Sequence, residues 1–399
     1  MSGKKIKAKG SPLNELNAKI LELIIGGQTV IRLNVGEPHV TTPLFLIEAG
    51  AEASKMESNN GYTFVEGAIE IRESISEFVY KMFTLEYSLD EIIFTSGAKQ
   101  GIDLAVAATL ADQETKPGYE IIIFASDWPT YNAIIRAHDG ILVLVGPNED
   151  FSLPLAEIRA KITKNTRAII INSPNNPTSV IWSNEELGEL AQLAIEHDFI
   201  VISDEVYNTI ILEGEMPVSI ASFKGMKERT IIVNSFSKMW AIPGWRAGFV
   251  LAINAKCRDM IAAKSNIDGN SCSLLQFIIK AAIDNHFEDS LAFIKKSNEE
   301  YKKNKDYICA FFDLWGIEYV PPKGAFYVFV KLPKKFGVNS EECSEILLQE
   351  GLAVAPGIIF GETCDDYIRI CFATTTEELI KAMNIIEKLF IQKGVVKIE

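Results

Sequence analysis

Seven short apolar runs, separated by stretches of helical periodicity, constrain this chain more than any other feature. Ile92–Thr95, Glu120–Phe124, Ile141–Val145, Ala168–Ile171, Ile200–Ser203, Thr230–Val233 and Gly248–Ala252 are rich in Ile and Val and apolar throughout. A strand wetted on one side alternates apolar and polar residues, whereas a strand covered on both sides does not. Between these runs, Gly101–Leu110, Trp128–Ala137 and Asn184–His197 carry helical patterns. The alternation predicts an α/β domain around a mostly parallel, seven-stranded sheet. At 399 residues and 48% hydrophobic, the chain exceeds one simple core, so a large domain with a smaller one is expected.

The last third changes character. Residues 287–315 read as a long charged helix, followed by the strand-like GAFYVFVKL (324–332) and a helix at 340–351. IRICFA (368–373) then precedes an amphipathic helix, Thr376–Gln392. This predicts a smaller α+β domain formed by both termini, because the strand-like run Val30–Val35 ends at Gly36-Glu37-Pro38 and needs a sheet to join. The expected division is 1–50 with the small domain, 51–285 as the large domain and 286–399 as the small one.

Charge narrows the partners. The formal net charge of −14 repels phosphate backbones and argues against nucleic acid. No apolar stretch approaches the ~20 residues of a membrane span, and the basic start, MSGKKIKAKGSPLNEL, lacks an apolar signal core. A cytoplasmic protein is expected. The six cysteines form no CxxC pair, and the four histidines show no HExxH or HxH spacing. Reduced thiols and no metal site are the expectation.

Three polar loops leave three strand ends: SPNNPTS (173–179), Asp204-Glu205-Val206-Tyr207 and NSFSK (234–238). In open α/β sheets, ligands bind beyond the carboxyl ends of strands, so these loops point at one crevice. The last carries Lys238 directly after two serines, Ser235 and Ser237, with Arg246 eight residues on. Two hydroxyls and a guanidinium are good phosphate ligands, and the lysine stands beside them. The plainer reading of the same residues is a solvated lysine on a surface turn. Gly97-Ala98-Lys99 opens a helix directly after a strand, which is a second phosphate-binding geometry.

The S-x-S-K-x(7)-R pattern, with NSPNNPT upstream and DEVY between, resembles the class I/II aminotransferases of pyridoxal-phosphate fold type I. The similarity is greatest to the branch that includes bacterial aspartate and aromatic aminotransferases, and it runs from about Asn34 to Phe372. It implies pyridoxal 5'-phosphate as cofactor, carried on Lys238 as a Schiff base, and amino and keto acids as substrates. Asp204 would pair with the ring nitrogen, and Tyr207 and Asn176 with the ring oxygen. Trp128 would stack on the ring. The phosphate would lie among Gly97, Ala98, Lys99, Ser235, Ser237 and Arg246. Arg369 would hold the substrate α-carboxylate, with Gly36 and Asn176 beside it. Tyr62 would reach the phosphate of a neighbouring subunit, which implies a homodimer with shared active sites.

The chain departs from that pattern in places. Ser179 stands where glycine usually follows NNPT, at a turn suited to positive φ. Pro243 and the bulky Trp240 are unusual, and both are expected near the phosphate arm and pocket entrance. Trp128, Tyr131, Trp240, Ile242 and Phe360 are expected to make a pocket suited to aromatic or broad substrates, ahead of aspartate. Lys99 is a cation available to a second carboxylate. Two other functions share these residues: a lyase, cyclase or oxidase of the same fold, or a pyridoxal-phosphate-sensing regulator, which needs a DNA-binding module upstream. A dinucleotide-binding protein lacks its GxGxxG here.

Overall fold

The computed structural model describes residues 12–111 and 118–394. Most of the basic start of the chain lies outside them. The chain first crosses as β1 (Ile31–Arg32) and then builds seven strands: β2 (Ile92–Thr95), β3 (Glu120–Phe124), β4 (Ile141–Val145), β5 (Thr166–Asn172), β6 (Ile200–Asp204), β7 (Thr230–Ser235) and β8 (Gly248–Leu251). They form one sheet in the order β2-β8-β7-β6-β5-β3-β4. Only β8 runs antiparallel to its neighbours. The apolar runs foresaw this: Ile169, Ile170, Val201, Ile202, Ile232 and Val233 are buried on one face or the other. Each such side chain contributes about 1.5–3 kcal/mol relative to exposure.

Register decides where the loops leave. Asn172 at the end of β5 sits opposite Asp204 at the end of β6, and Asp204 opposite Val233 of β7. Three strands therefore finish at one edge. The helices between them have local stops and starts. Helix Asn184–His197 begins with a capping box, in which Ser183 Oγ accepts the Glu186 N–H, and ends at Asp198 in the left-handed region.

The small lobe holds β9 (Tyr319–Val320), β10 (Tyr327–Lys331), β11 (Leu352–Ala353), β12 (Ala355–Pro356) and β13 (Tyr367–Cys371). Four of them form an antiparallel sheet ordered β12-β13-β10-β9. The start of the chain closes onto this lobe. β1 pairs in parallel with β11, and Ile20 packs with Leu348 and Ala353. Helix Phe287–Leu314 packs against helix Thr376–Gln392 over the same core.

Ser179 lies on the seam between the lobes, with φ +60° and no exposure. The left-handed conformation costs a residue with a side chain about 1–2 kcal/mol. The hydroxyl supplies the compensation. β9 covers only Phe329 and Val330 of β10, and beyond its end Ser179 Oγ accepts the Tyr327 N–H at 3.1 Å. The Ser179 carbonyl also accepts the N–H groups of Lys323 and Gly324. Ser179→Ala keeps the backbone cost and strands a buried N–H, so denaturant unfolding should show a loss of about 1–3 kcal/mol. Ser179→Gly removes the cost along with the bond and should lose less. Alanine matching wild type would show that the hydroxyl offsets nothing.

Candidate active site

Lys238 is the third residue of a one-turn helix, Phe236–Met239, that follows β7 directly. Ser235 caps the turn: its Oγ accepts the Ser237 N–H at 3.1 Å and donates to the Ala247 carbonyl at 2.8 Å. Phe236 and Met239 enter the core, and Lys238 is left at the sheet edge. Its Nζ donates to the Gly36 carbonyl and borders a cavity of about 360 Å³. Burial pushes the ammonium down to about 8, and the charges of Arg369 and Arg246 act the same way against Cys371 and Glu37. A lysine near this value presents an appreciable share of neutral amine, the nucleophilic form.

Asp204 is buried at the end of β6. Its Oδ2 accepts the Tyr131 hydroxyl at 2.7 Å, and its Oδ1 accepts the Val206 N–H at 3.3 Å. Desolvation raises the carboxyl to about 6, against the Tyr131 and Val206 hydrogen bonds and the Lys238 charge. Asn172 ties the neighbouring loops together. Its Nδ2 donates to the Asp204 carbonyl and its Oδ1 accepts the Asn176 N–H, both at 2.9 Å.

Arg369 comes from the small lobe, paired with Phe329 across β10 and β13. Its Nη1 donates to Asn176 Oδ1 and its Nη2 to the Asn34 carbonyl, both at 2.6 Å. The guanidinium lies between two rings, 4.4 Å from the Tyr327 centroid and 5.0 Å from that of Phe360. Its Nε is buried without a hydrogen-bond partner. A buried arginine with an unpartnered donor, on a residue that lines the cavity, suits a carboxylate.

At the opposite end, Gly97 caps helix Ala98–Thr109 with φ +86°. A Cβ there would stand 2.7 Å from Arg246 Nη2, so only glycine lets the guanidinium approach. Arg246 donates to the Pro243 carbonyl at 2.9 Å and to the Ser96 carbonyl at 3.3 Å. A helix start, two serines and a guanidinium at one end of a cavity form an anion site.

Of the site residues read from the sequence, all but Gly97 and Tyr62 border this cavity. Gly97 stands immediately behind it. Tyr62 is 97% exposed and away from it in this chain. Pro243 does line the cavity, but Trp240 is not at its entrance. Trp240 is fully buried, stacked on Phe236 at 4.7 Å, with its Nε1 bonded to Ser290. The helical turn after Lys238 rotates it into the core together with Ile242. Phe360 likewise lies over Arg369 instead of lining the pocket. The sequence reading missed Tyr131 as the partner of Asp204, Asn172 as the tie between loops, and Tyr327. The period-two pattern of GAFYVFVKL marks Tyr327 only as lying on one face of a strand.

A further buried carboxylate lies behind the site. Glu205 Oε1 accepts the hydroxyls of Ser203 at 3.0 Å and Ser219 at 2.6 Å, and desolvation raises the group to about 7. A folded value above the unfolded one stabilises the protein below about pH 4, and that stability is lost as pH rises through about 7. Glu205→Gln keeps Oε1 for both hydroxyls and removes the titration. Relative to wild type, the variant should gain roughly 2–4 kcal/mol between pH 4 and 8 in denaturant unfolding. A pH-independent difference would place the titration elsewhere.

These residues fit pyridoxal 5'-phosphate. Arg369 keeps a buried donor without a partner, Gly97 clears the anion end, and Asp204 brings a buried carboxylate to the cavity wall. A model of the family described as aminotransferase class I and II matches residues 28–386. The aspartate aminotransferase of Pyrococcus abyssi is 36% identical over 94% of this chain and 95% of its own length. Aromatic-amino-acid aminotransferase 2 of Thermococcus litoralis is 33% identical over 95% of this chain and 96% of its own. A solved structure of the Thermus thermophilus aspartate aminotransferase with maleate superposes with a TM-score of 0.90 at 31% identity, covering 98% of this chain and all (100%) of that one. Motif order, cavity chemistry and whole-chain similarity converge: this chain belongs to the class I and II aminotransferases, pyridoxal-phosphate enzymes of fold type I.

Proposed function

We propose that the chain moves an amino group from an L-amino acid to a 2-keto acid in two half-reactions at the cavity below Lys238, with the residue roles set out here. The observation that carries this reading is the convergence of Lys238, Asp204 and Arg369 on one cavity from three separate elements. When bound, pyridoxal phosphate supplies an electron sink for the pair left when the substrate Cα–H bond breaks. Arg369 binds the α-carboxylate and fixes the Cα–H direction. Lys238 Nζ would carry the proton from the substrate Cα to the cofactor's C4′ in the first half-reaction and from C4′ back to Cα in the second. Asp204 holds a proton on the ring nitrogen, Tyr207 and Asn176 donate to the ring oxygen, and Trp128 covers the ring. Ser235, Ser237, Arg246 and the Gly97–Lys99 helix start hold the phosphate.

Broad substrate range is the specificity this lining supports. Val35, Pro243 and Trp128 offer apolar surface, and Lys99 offers a cation to a second carboxylate. Of the expected division 1–50, 51–285 and 286–399, the pairing of β1 with β11 supports placing the start of the chain with the small lobe, whereas helix Leu44–Ala53 spans the boundary at 50 and packs against helix Ser273–Asn285 of the large lobe. A homodimer is supported by Tyr62, Phe64 and Ile267, which are 97%, 58% and 61% exposed. The first two follow Gly61, whose carbonyl accepts the hydroxyl of Ser273, the first residue of helix Ser273–Asn285, at 2.7 Å. Sedimentation at assay concentration reads the assembly. No helix among the described residues is long and apolar enough to cross a membrane. Six unpaired cysteines support a reducing, cytoplasmic setting.

An absorbance titration of the cofactor-loaded protein with a panel of amino acids tests the reading. Loss of the visible band with release of a keto acid, and its return on adding a second keto acid, is the expected result. Ammonia or peroxide without recovery would instead indicate a lyase or oxidase.

A further inference from the structure

Tyr327 opens β10 and lines the cavity. Its hydroxyl lies 2.7 Å from that of Tyr207. Its ring lies against the Arg369 guanidinium, 4.4 Å to the centroid. Its N–H is taken by Ser179 Oγ. Its hydroxyl also fills the space of a Cβ on Gly36, which would stand 1.8 Å from it. Gly36 is outside the left-handed region, so the requirement for glycine there is room, and the room is for the Tyr327 phenol. A ring that only filled the core would need neither a cleared glycine nor a second phenol. At 1% exposure this hydroxyl must find a partner inside the protein, and Tyr207 is that partner.

We propose that Tyr327 is a positioning residue of the active site, setting Tyr207 through its hydroxyl and Arg369 through its ring face. The inference rests on the roles given above to Tyr207 and Arg369. A phenol has one proton to give. When Tyr207 donates to the cofactor's ring oxygen, its own oxygen is left as acceptor, and Tyr327 becomes the donor. Aligned phenols polarise one another, so Tyr207 donates more strongly than it would alone. The ring face acts separately: with Phe360 at 5.0 Å on the guanidinium as well, Arg369 is confined while it bonds Asn176 and Asn34. One side chain of the small lobe thereby couples the cofactor contact of the large lobe to the carboxylate-binding cation.

The test uses full-length protein loaded with pyridoxal phosphate, and reads the pH midpoint of its visible band together with steady-state kinetics. Tyr327→Phe keeps the ring and removes the donor. Its midpoint should move upward by roughly half a unit to one unit, with KM for the amino acid within about twofold of wild type. In a Tyr207→Phe background the same change should add no further shift, because the hydroxyl it served is gone. Tyr327→Leu removes the ring, and KM for both amino and keto acids should rise roughly 2- to 30-fold. If that variant fails to fold, as circular dichroism would show, the phenylalanine series still decides the hydroxyl link. An unmoved midpoint in Tyr327→Phe, or a shift of equal size with and without the Tyr207 hydroxyl, overturns that link. An unchanged KM in folded Tyr327→Leu overturns the ring link. Wild-type protein that shows no visible band with pyridoxal phosphate would defeat the site reading itself, whereas a normal wild-type band with unmoved variants defeats only the role of Tyr327.

Discussion

Lys238→Ala should lower kcat for amino transfer by about four orders of magnitude or more while leaving the fold intact. The side chain is asked for two things, a nucleophilic amine and a proton carrier at substrate Cα, and alanine supplies neither. Its structural duties are few. Its side chain makes one hydrogen bond, to the Gly36 carbonyl, whereas the packing of its helical turn is carried by Phe236, Met239 and Trp240. Thermal unfolding of the cofactor-free variant should therefore stay within about 1 kcal/mol of wild type. The visible band should be absent on adding pyridoxal phosphate. Turnover above a hundredth of the wild-type rate would remove Lys238 from the chemistry.

Asp204→Asn should cost about 10²- to 10³-fold in kcat, the usual scale for removing one electrostatic contact to developing charge. The substitution separates charge from shape. Val206 N–H needs an acceptor at Oδ1, so the asparagine oxygen must face it. The amide nitrogen then meets the Tyr131 hydroxyl, which can turn to accept. The hydrogen bonds survive and the negative charge does not. The carboxyl is raised to about 6 by burial, and a protonated ring nitrogen beside it would hold it lower. Wild-type kcat should accordingly persist to pH values below 6, whereas the asparagine variant should be low across the range. A variant with wild-type kcat at pH 7.5 would show that the charge at this position is not used.

Much of the site was legible because its residues travel in short contiguous stretches. Asn176, Asp204, Tyr207, Ser235, Ser237 and Lys238 all lie at strand ends, where the chain direction alone aims loops toward one edge. Ser179 was legible as a problem, since its position asks for positive φ, but its solution was not. The Tyr327 N–H that it bonds is 148 residues away. Trp240 was misplaced because two residues along a helical turn rotate a side chain from the cavity to the opposite face. Tyr131 lies 73 residues before Asp204, and only strand order brings them together.

The amino-acid sequence by itself determined the layer architecture, the distinct character of the last third and the strand-end loops that meet at one edge. These follow from local periodicity: a strand buried on both faces is apolar throughout, and a helix repeats every 3.6 residues. Which distant groups share a hydrogen bond was decided only by tertiary structure. The Tyr207–Tyr327 pair, the two rings on Arg369 and the room cleared at Gly36 depend on how the small lobe meets the sheet edge. Hydrogen bonds and ring contacts act over a few ångströms, and a linear pattern holds no record of which residues packing brings that close.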